Sequence, residues 1–82
     1  MQVAGTHFRT RSLYAAAFLL ARGFPLADVG TDPQGRVEFS IGGDEGAVRE
    51  CLREYRRGTA AVNAQRYGSE LRRLKAILHG SE

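Results

Sequence analysis

The sequence predicts a small two-layer α+β domain with the element order α-β-β-α-α. Three observations predict it: an apolar helical segment at residues 10–22, an alternating strand behind a turn signal within residues 26–41, and two capped amphipathic helices at residues 44–57 and 63–79. A two-stranded hairpin is marginal in water unless its apolar face is covered. We therefore expect a two-stranded antiparallel hairpin packed on three helices.

Length and composition are those of one globular domain spanning residues 1–82, with 43% apolar and 26% charged residues. A single cysteine excludes an internal disulfide and favours a cytoplasmic location. No apolar run approaches the roughly 20 residues of a membrane span, and the N-terminus lacks a signal-peptide pattern. The net charge of +3 permits contact with nucleic acid or another anionic surface.

The first helix is predicted within residues 10–22, after a lead-in at residues 1–6. Thr10 is placed to cap its N-terminus, because a threonine hydroxyl accepts a backbone N–H from the first turn. Gly23 suits the left-handed conformation just past a helix end, and Pro25 prevents the helix from resuming.

This first helix is apolar on nearly every side, which is typical of a helix that is buried on several faces. Two interpretations remain open: it is the central helix of the domain, or a second subunit covers it. In the second case the chain is a homo-oligomer whose interface contains Tyr14, Phe18 and Leu19.

The hairpin is predicted over residues 26–41. The turn signal "TDPQGR" supplies Asp32 to bond the backbone ahead of it, Pro33 to preset φ, and Gly35 to end the turn. The strand after the turn alternates, whereas the strand before it is one residue out of phase. That break predicts a bulge or a later start of the strand. The inward-facing residues of the second strand are Val37, Phe39 and Ile41.

The second and third helices carry clear caps. Asp44 precedes the helix predicted at residues 44–57, and Gly58 follows its last turn. Asn63 is placed to cap the helix at residues 63–79.

Charges on the second helix are sorted by side, with arginines along one flank and Glu50 and Glu54 on the other. Repulsion between like charges four residues apart is offset by attraction between opposite charges three or four residues apart. The sorting of charges therefore has almost no net effect on the stability of the helix. The planar guanidinium group of arginine can donate two hydrogen bonds to one phosphate. The candidate nucleic-acid-binding residues on the two helices are Arg49, Arg53, Arg56, Arg57, Arg72 and Lys75.

Two other interpretations of these basic residues stay open. They are solvated faces whose long stems cover apolar surface, or they contact an acidic protein. The glycine-rich segment at residues 42–46 follows a strand and opens a helix, as a phosphate-binding loop does. Its two acids would repel a phosphate and no P-loop lysine follows, so we interpret it as a loop and helix cap.

Nothing in the sequence predicts an enzyme, a cofactor or a metal site. Cys51 lies on the apolar face of the second helix, which predicts a buried structural thiol. The two histidines, His7 and His79, lie near the chain ends without metal-ligand spacing to each other or to Cys51.

Three segments, "RTRSLYAAAFLLARGFPLADV", "GRVEFSI" and "LREYRRGTAAVNAQRYGSELRRLKAIL", resemble a family of short bacterial and phage-borne proteins known only as a domain of unknown function. The resemblance implies a phage or mobile-element context and a small non-enzymatic helper role, and it assigns no site residues. Two functions are expected from the residues: a nucleic-acid-binding module, or alternatively a homodimeric assembly module without a nucleic-acid role.

Overall fold

The computed structural model describes residues 8–58 and 61–79, which form three strands and three helices in an α+β arrangement. The elements are β1 Phe8–Thr10, α1 Leu13–Ala21, β2 Leu26–Thr31, β3 Val37–Ile41, α2 Glu45–Arg57 and α3 Ala64–His79. The α+β class is confirmed, but the two-stranded hairpin is corrected to a three-stranded antiparallel sheet and the order begins with a strand. The lead-in predicted at residues 1–6 lies outside the described residues.

The sheet has the order β1-β3-β2, so β3 is its central strand. Phe8 lies opposite Ile41 and Thr10 lies opposite Phe39, which places all four on the sheet face that meets the helices. Arg9, between them, lies opposite Ser40 on the other face. A strand of three residues is too short to show a period of two, which is why the sequence does not reveal β1.

The pairing of β2 with β3 contains the register shift that the sequence anticipated, between Leu26 and Asp28. In a regular strand Leu26 and Val29 would point to opposite faces. The bulge brings both onto the core face, and both pack against the buried cluster.

Helix α1 is the central helix of the domain, as the first of the two interpretations predicted. Seven consecutive residues, 15–21, are buried, and Ala16, Ala17 and Leu19 have no exposed surface. The helix contacts α2, α3, β1 and β3, so other parts of the same chain cover all of it except the exposed Tyr14 near its start. Its alanines let these neighbours approach closely without leaving cavities.

Ser12, not Thr10, caps α1. The Ser12 Oγ atom accepts the Ala15 N–H at 3.1 Å. Thr10 cannot begin the helix because it is paired with Phe39 in the sheet, and its Oγ1 instead accepts the Ser12 N–H at 3.0 Å. Gly23 adopts φ 103°, consistent with the predicted end of the helix.

The predicted caps of the other two helices are confirmed. Asp44 Oδ2 accepts the Ala47 N–H at 2.9 Å, and Gly58 closes α2 in the left-handed region at φ 76°. Asn63 Oδ1 accepts the Arg66 N–H at 2.9 Å at the start of α3.

Asp32 organises the turn between β2 and β3. Its Oδ1 atom accepts the N–H groups of Gln34 and Arg36, each at 2.9 Å, and its Oδ2 accepts Nη1 of Arg11 at 3.0 Å. The bond from Arg36, followed by those from Gln34 and Arg11, lowers the pKa of the Asp32 carboxyl below its ordinary value of 3.8, although partial desolvation opposes the shift.

Because the folded pKa of Asp32 lies below the unfolded value, its ionised form stabilises the fold above that value. This contribution is lost as the pH falls through the folded pKa. We expect Asp32→Asn to lower the free energy of unfolding at about pH 7, and the difference from wild type to shrink towards about pH 2. Urea unfolding followed by circular dichroism, repeated at each pH, measures the difference in free energy of unfolding between the variant and the wild type. The control is Asp28→Asn, because Asp28 is exposed on β2. If the effect of Asp32→Asn does not change with pH, the ionised Asp32 carboxylate is not the source of the stabilisation.

Gly43, between β3 and α2, is required for two separate reasons. Its φ is +120°, and a Cβ atom there would lie 2.8 Å from Cδ1 of the Phe24 ring. We expect Gly43→Ala to lower the free energy of unfolding by about 2–4 kcal/mol, combining backbone strain with overlap. Gly35→Ala is the matched control, because its φ is +84° but nothing lies within 4 Å. It should cost only about 1–2 kcal/mol, and equal losses would exclude the Phe24 overlap.

Candidate nucleic-acid interface

A cleft of about 690 Å³ lies between the basic flank of α2, strand β1 and the loop after β3. We call it the basic cleft, because five arginines and one acid, Glu45, contribute to its lining. The arginines are Arg9, Arg49, Arg53, Arg56 and Arg57.

The floor of the basic cleft is apolar. Phe8 of β1 and two residues of α2, Val48 and Leu52, form it. Val48 and Leu52 are one helical turn apart and point into the core, where they are only 2% and 4% exposed. Burial of this side of α2 sets the rotation of the helix, and that rotation directs the adjacent arginine flank towards the cleft.

Two of the lining arginines form ion pairs within α2. Arg49 Nη2 lies 2.7 Å from Oε2 of Glu45, and Arg53 pairs with Glu50. All four side chains are about half-exposed or more, and pairs of this kind contribute only about 0.2–1 kcal/mol. A phosphate approaching the cleft would therefore compete with them at little cost.

The other three lining arginines, Arg9, Arg56 and Arg57, have no acidic partner among residues 8–58 and 61–79. Arg56 and Arg57 follow one another at the C-terminal end of α2, and Arg9 comes from the sheet. Arginines from two separate elements thus line one cleft. Their charge is available to an anionic ligand.

The opposite flank of α2 explains the sorting of charges seen in the sequence. Oε1 of Glu54 lies 3.3 Å from Nη1 of Arg22, just beyond the end of α1, and the same nitrogen donates to the Ala61 carbonyl. The Glu54 side of α2 therefore faces the α1 terminus, and the arginine side faces the basic cleft. Only the Glu54 flank has an ion-pair partner on another element of the described chain.

The remaining two predicted contact residues, Arg72 and Lys75, do not line the basic cleft. Both are exposed on α3, and Arg72 Nη2 donates to Oγ of Ser69 at 3.3 Å. The structure thus brings together four of the six predicted residues and adds Arg9. Sequence reasoning missed Arg9 because β1 was not predicted, and the only signal for it was its position next to Phe8.

Two of the three predicted interface residues require correction. Phe18 is 2% exposed and Leu19 has no exposed surface, because both belong to the core of the chain. The Phe18 ring packs against Tyr55 with centroids 5.0 Å apart, and the Arg22 guanidinium carbon lies 5.6 Å from its centroid. Tyr14 alone, at 53% exposure, remains accessible to a partner.

Cys51 is 9% exposed and packs in the core cluster, as predicted for a structural thiol. Over the described part of the chain, no group of three or more His, Cys, Asp and Glu residues could hold a metal ion. None of the helices in these residues combines the length and apolar character needed to cross a membrane.

Fold and cleft together define a small α+β domain with a basic, apolar-floored cleft. The chain belongs to the family described as Domain of unknown function (DUF5659), whose model matches residues 6–80. The resemblance to a family known only as a domain of unknown function is thereby confirmed. Comparison with curated proteins and with solved structures found no match.

Proposed function

We propose that this chain is a small non-enzymatic nucleic-acid-binding module that uses the basic cleft. One observation carries the proposal: five arginines and one acid surround an apolar floor, and three of the arginines have no acidic partner in the described residues. Such a surface matches a ligand that presents repeated negative charge next to apolar groups. A nucleic-acid strand has this composition, with phosphates along its backbone and the faces of its bases beside them.

The affinity of the basic cleft for nucleic acid is expected to depend mainly on electrostatic attraction. Each phosphate neutralised by an arginine releases condensed counterions, so affinity should fall steeply as salt rises. The exposed Arg49–Glu45 and Arg53–Glu50 pairs would be exchanged for phosphate contacts rather than simply lost. Arg72 and Lys75 on α3 are proposed as secondary contacts for a longer ligand. The phage or mobile-element context is part of the same proposal.

The alternative function is homodimeric assembly without a nucleic-acid role. Its support in the structure is the exposed ring of Tyr14, together with Ile77 and Leu78 at 38% and 37% exposure. Large apolar side chains at the surface are compatible with self-association but do not require it. A single species of 9.0 kDa in light scattering at high concentration would remove this alternative.

The proposal is tested by charge-matched double variants. We expect Arg56→Gln with Arg57→Gln to weaken binding of a nucleic-acid oligonucleotide by about tenfold or more at low salt, because two phosphate contacts are lost. The slope of log affinity against log salt should fall by about 1.4–1.8. Fluorescence anisotropy across a salt series measures both quantities.

Two further double variants remove the same charge elsewhere. Arg36→Gln with Arg66→Gln is the control, since both side chains are exposed and neither lines the cleft. Arg72→Gln with Lys75→Gln measures the contribution of α3. Equal losses in all three variants would show that net charge, rather than the basic cleft, governs binding. No binding by the wild type at about 50 mM salt would remove the function itself.

Glu45 is the one acid in the lining, and it opposes a phosphate in the cleft. We expect Glu45→Gln to tighten binding about two- to fivefold, because the repulsion disappears and Arg49 is released from its ion pair. The control is Glu70→Gln, which breaks the pair with Arg73 on α3 without touching the cleft. Anisotropy titration measures both variants. If Glu45→Gln and Glu70→Gln tighten binding equally, the change in affinity does not come from the basic cleft.

A further inference from the structure

We infer that the basic cleft binds a single strand of nucleic acid in preference to a duplex, with the ring of Phe8 as a stacking surface for a base. This inference rests on the proposed function and makes it more specific. Its evidence is the shape of the cleft, the placement of the acids on α2, and the aromatic residue in the floor.

The shape of the site is concave. The arginines line a cleft between α2 and β1. Proteins that read duplex DNA usually insert a helix into the major groove, which requires the basic side of the helix to project outward. Here the side of α2 next to its arginines is committed to the core through Val48 and Leu52, which are almost fully buried. A ligand has to enter the cleft to reach its floor, and a single strand with separated bases is better suited to this than the convex surface of a duplex.

The acids of α2 restrict the ligand further. Glu50 lies beyond the arginines, on the side of α2 away from the cleft floor, and its side chain is 57% exposed. Glu45 lies at the start of the helix beside the cleft, at 51% exposure. A duplex lying across α2 would bring phosphates close to both carboxylates, which is unfavourable. A single strand that follows the lining of the cleft meets four arginines of α2 and avoids Glu50, so that Glu45 is the one carboxylate of the lining that it passes.

Phe8 supplies the second element of a single-strand site. It is partly buried against the core cluster, and it also lines the cleft together with Val48 and Leu52, next to Arg9 in sequence. Grooves that bind single strands combine positive charge along the backbone path with aromatic rings on which bases stack. Phe8, with Arg9 next to it in sequence and the α2 arginines in the same lining, has this composition. The bases of a duplex are stacked on one another and do not offer a face to the ring.

The test compares a fluorescein-labelled oligothymidylate of about fifteen nucleotides with a labelled duplex of equal length, using the full chain in fluorescence anisotropy. We expect the single strand to bind at least about tenfold more tightly than the duplex. Phe8→Leu should weaken single-strand binding by about fivefold or more, because the stacking surface is lost, and should weaken duplex binding much less. Phe8→Tyr keeps the ring and should retain the wild-type affinity.

The possible outcomes are distinct. Equal affinity for the two probes overturns the inference and leaves the proposed function standing. Binding of neither probe overturns both. If Phe8→Leu and wild type bind the single strand equally, the stacking role is excluded. Thermal melts of both Phe8 variants, followed by circular dichroism, establish that each is folded at the temperature of the titration. If Phe8→Leu is not folded, the ratio of wild-type affinities for the single strand and the duplex decides the inference.

Discussion

The burial of α1 is the constraint on which the rest of the structure depends. This helix has almost no polar surface, so it is stable in water only when the sheet, α2 and α3 cover it together. Each covering element must turn its own apolar side inward, and that requirement fixes its rotation. For α2, burial of Val48 and Leu52 fixes the direction of the arginine flank. The basic cleft is therefore a geometric consequence of core packing rather than of any attraction between its own residues.

Charge and packing have separate roles in this domain. The buried cluster is entirely apolar, and no polar or charged residue among those described belongs to it, although the Asp32 side chain is only 8% exposed. The ion pairs lie on the surface, where water and salt weaken them. Ionic contacts can therefore be exchanged for those of a ligand without loss of the core. Asp32 belongs to a different class, because its bonds to backbone N–H groups hold a turn, and a ligand in the distant cleft leaves them intact.

The sequence predicted the features that are encoded locally and failed on those that depend on long-range pairing. Caps at Asp44 and Asn63, and the bulge in β2, follow from side-chain chemistry and spacing within a few residues. Strand β1 was not predictable, since three residues carry no period and their partner lies beyond α1 and β2. Both remaining errors follow from tertiary context. Thr10 is paired in the sheet, so Ser12 caps α1 instead. Because α1 is apolar on nearly every side, its sequence is equally compatible with Phe18 packing against its own chain or against a second subunit.

The position of β3 between β1 and β2 has a consequence for the order in which the domain forms. Pairing of β2 with β3 closes only a short turn, whereas pairing of β1 with β3 closes a loop that contains α1 and the whole of β2. The entropy of closing the longer loop must be offset by contacts that already exist, so β1 is expected to dock late and to detach first in local unfolding. Because β1 contributes Phe8 and Arg9, the cleft is completed only in the fully assembled domain, and the hairpin with its helices alone would lack one wall of the cleft.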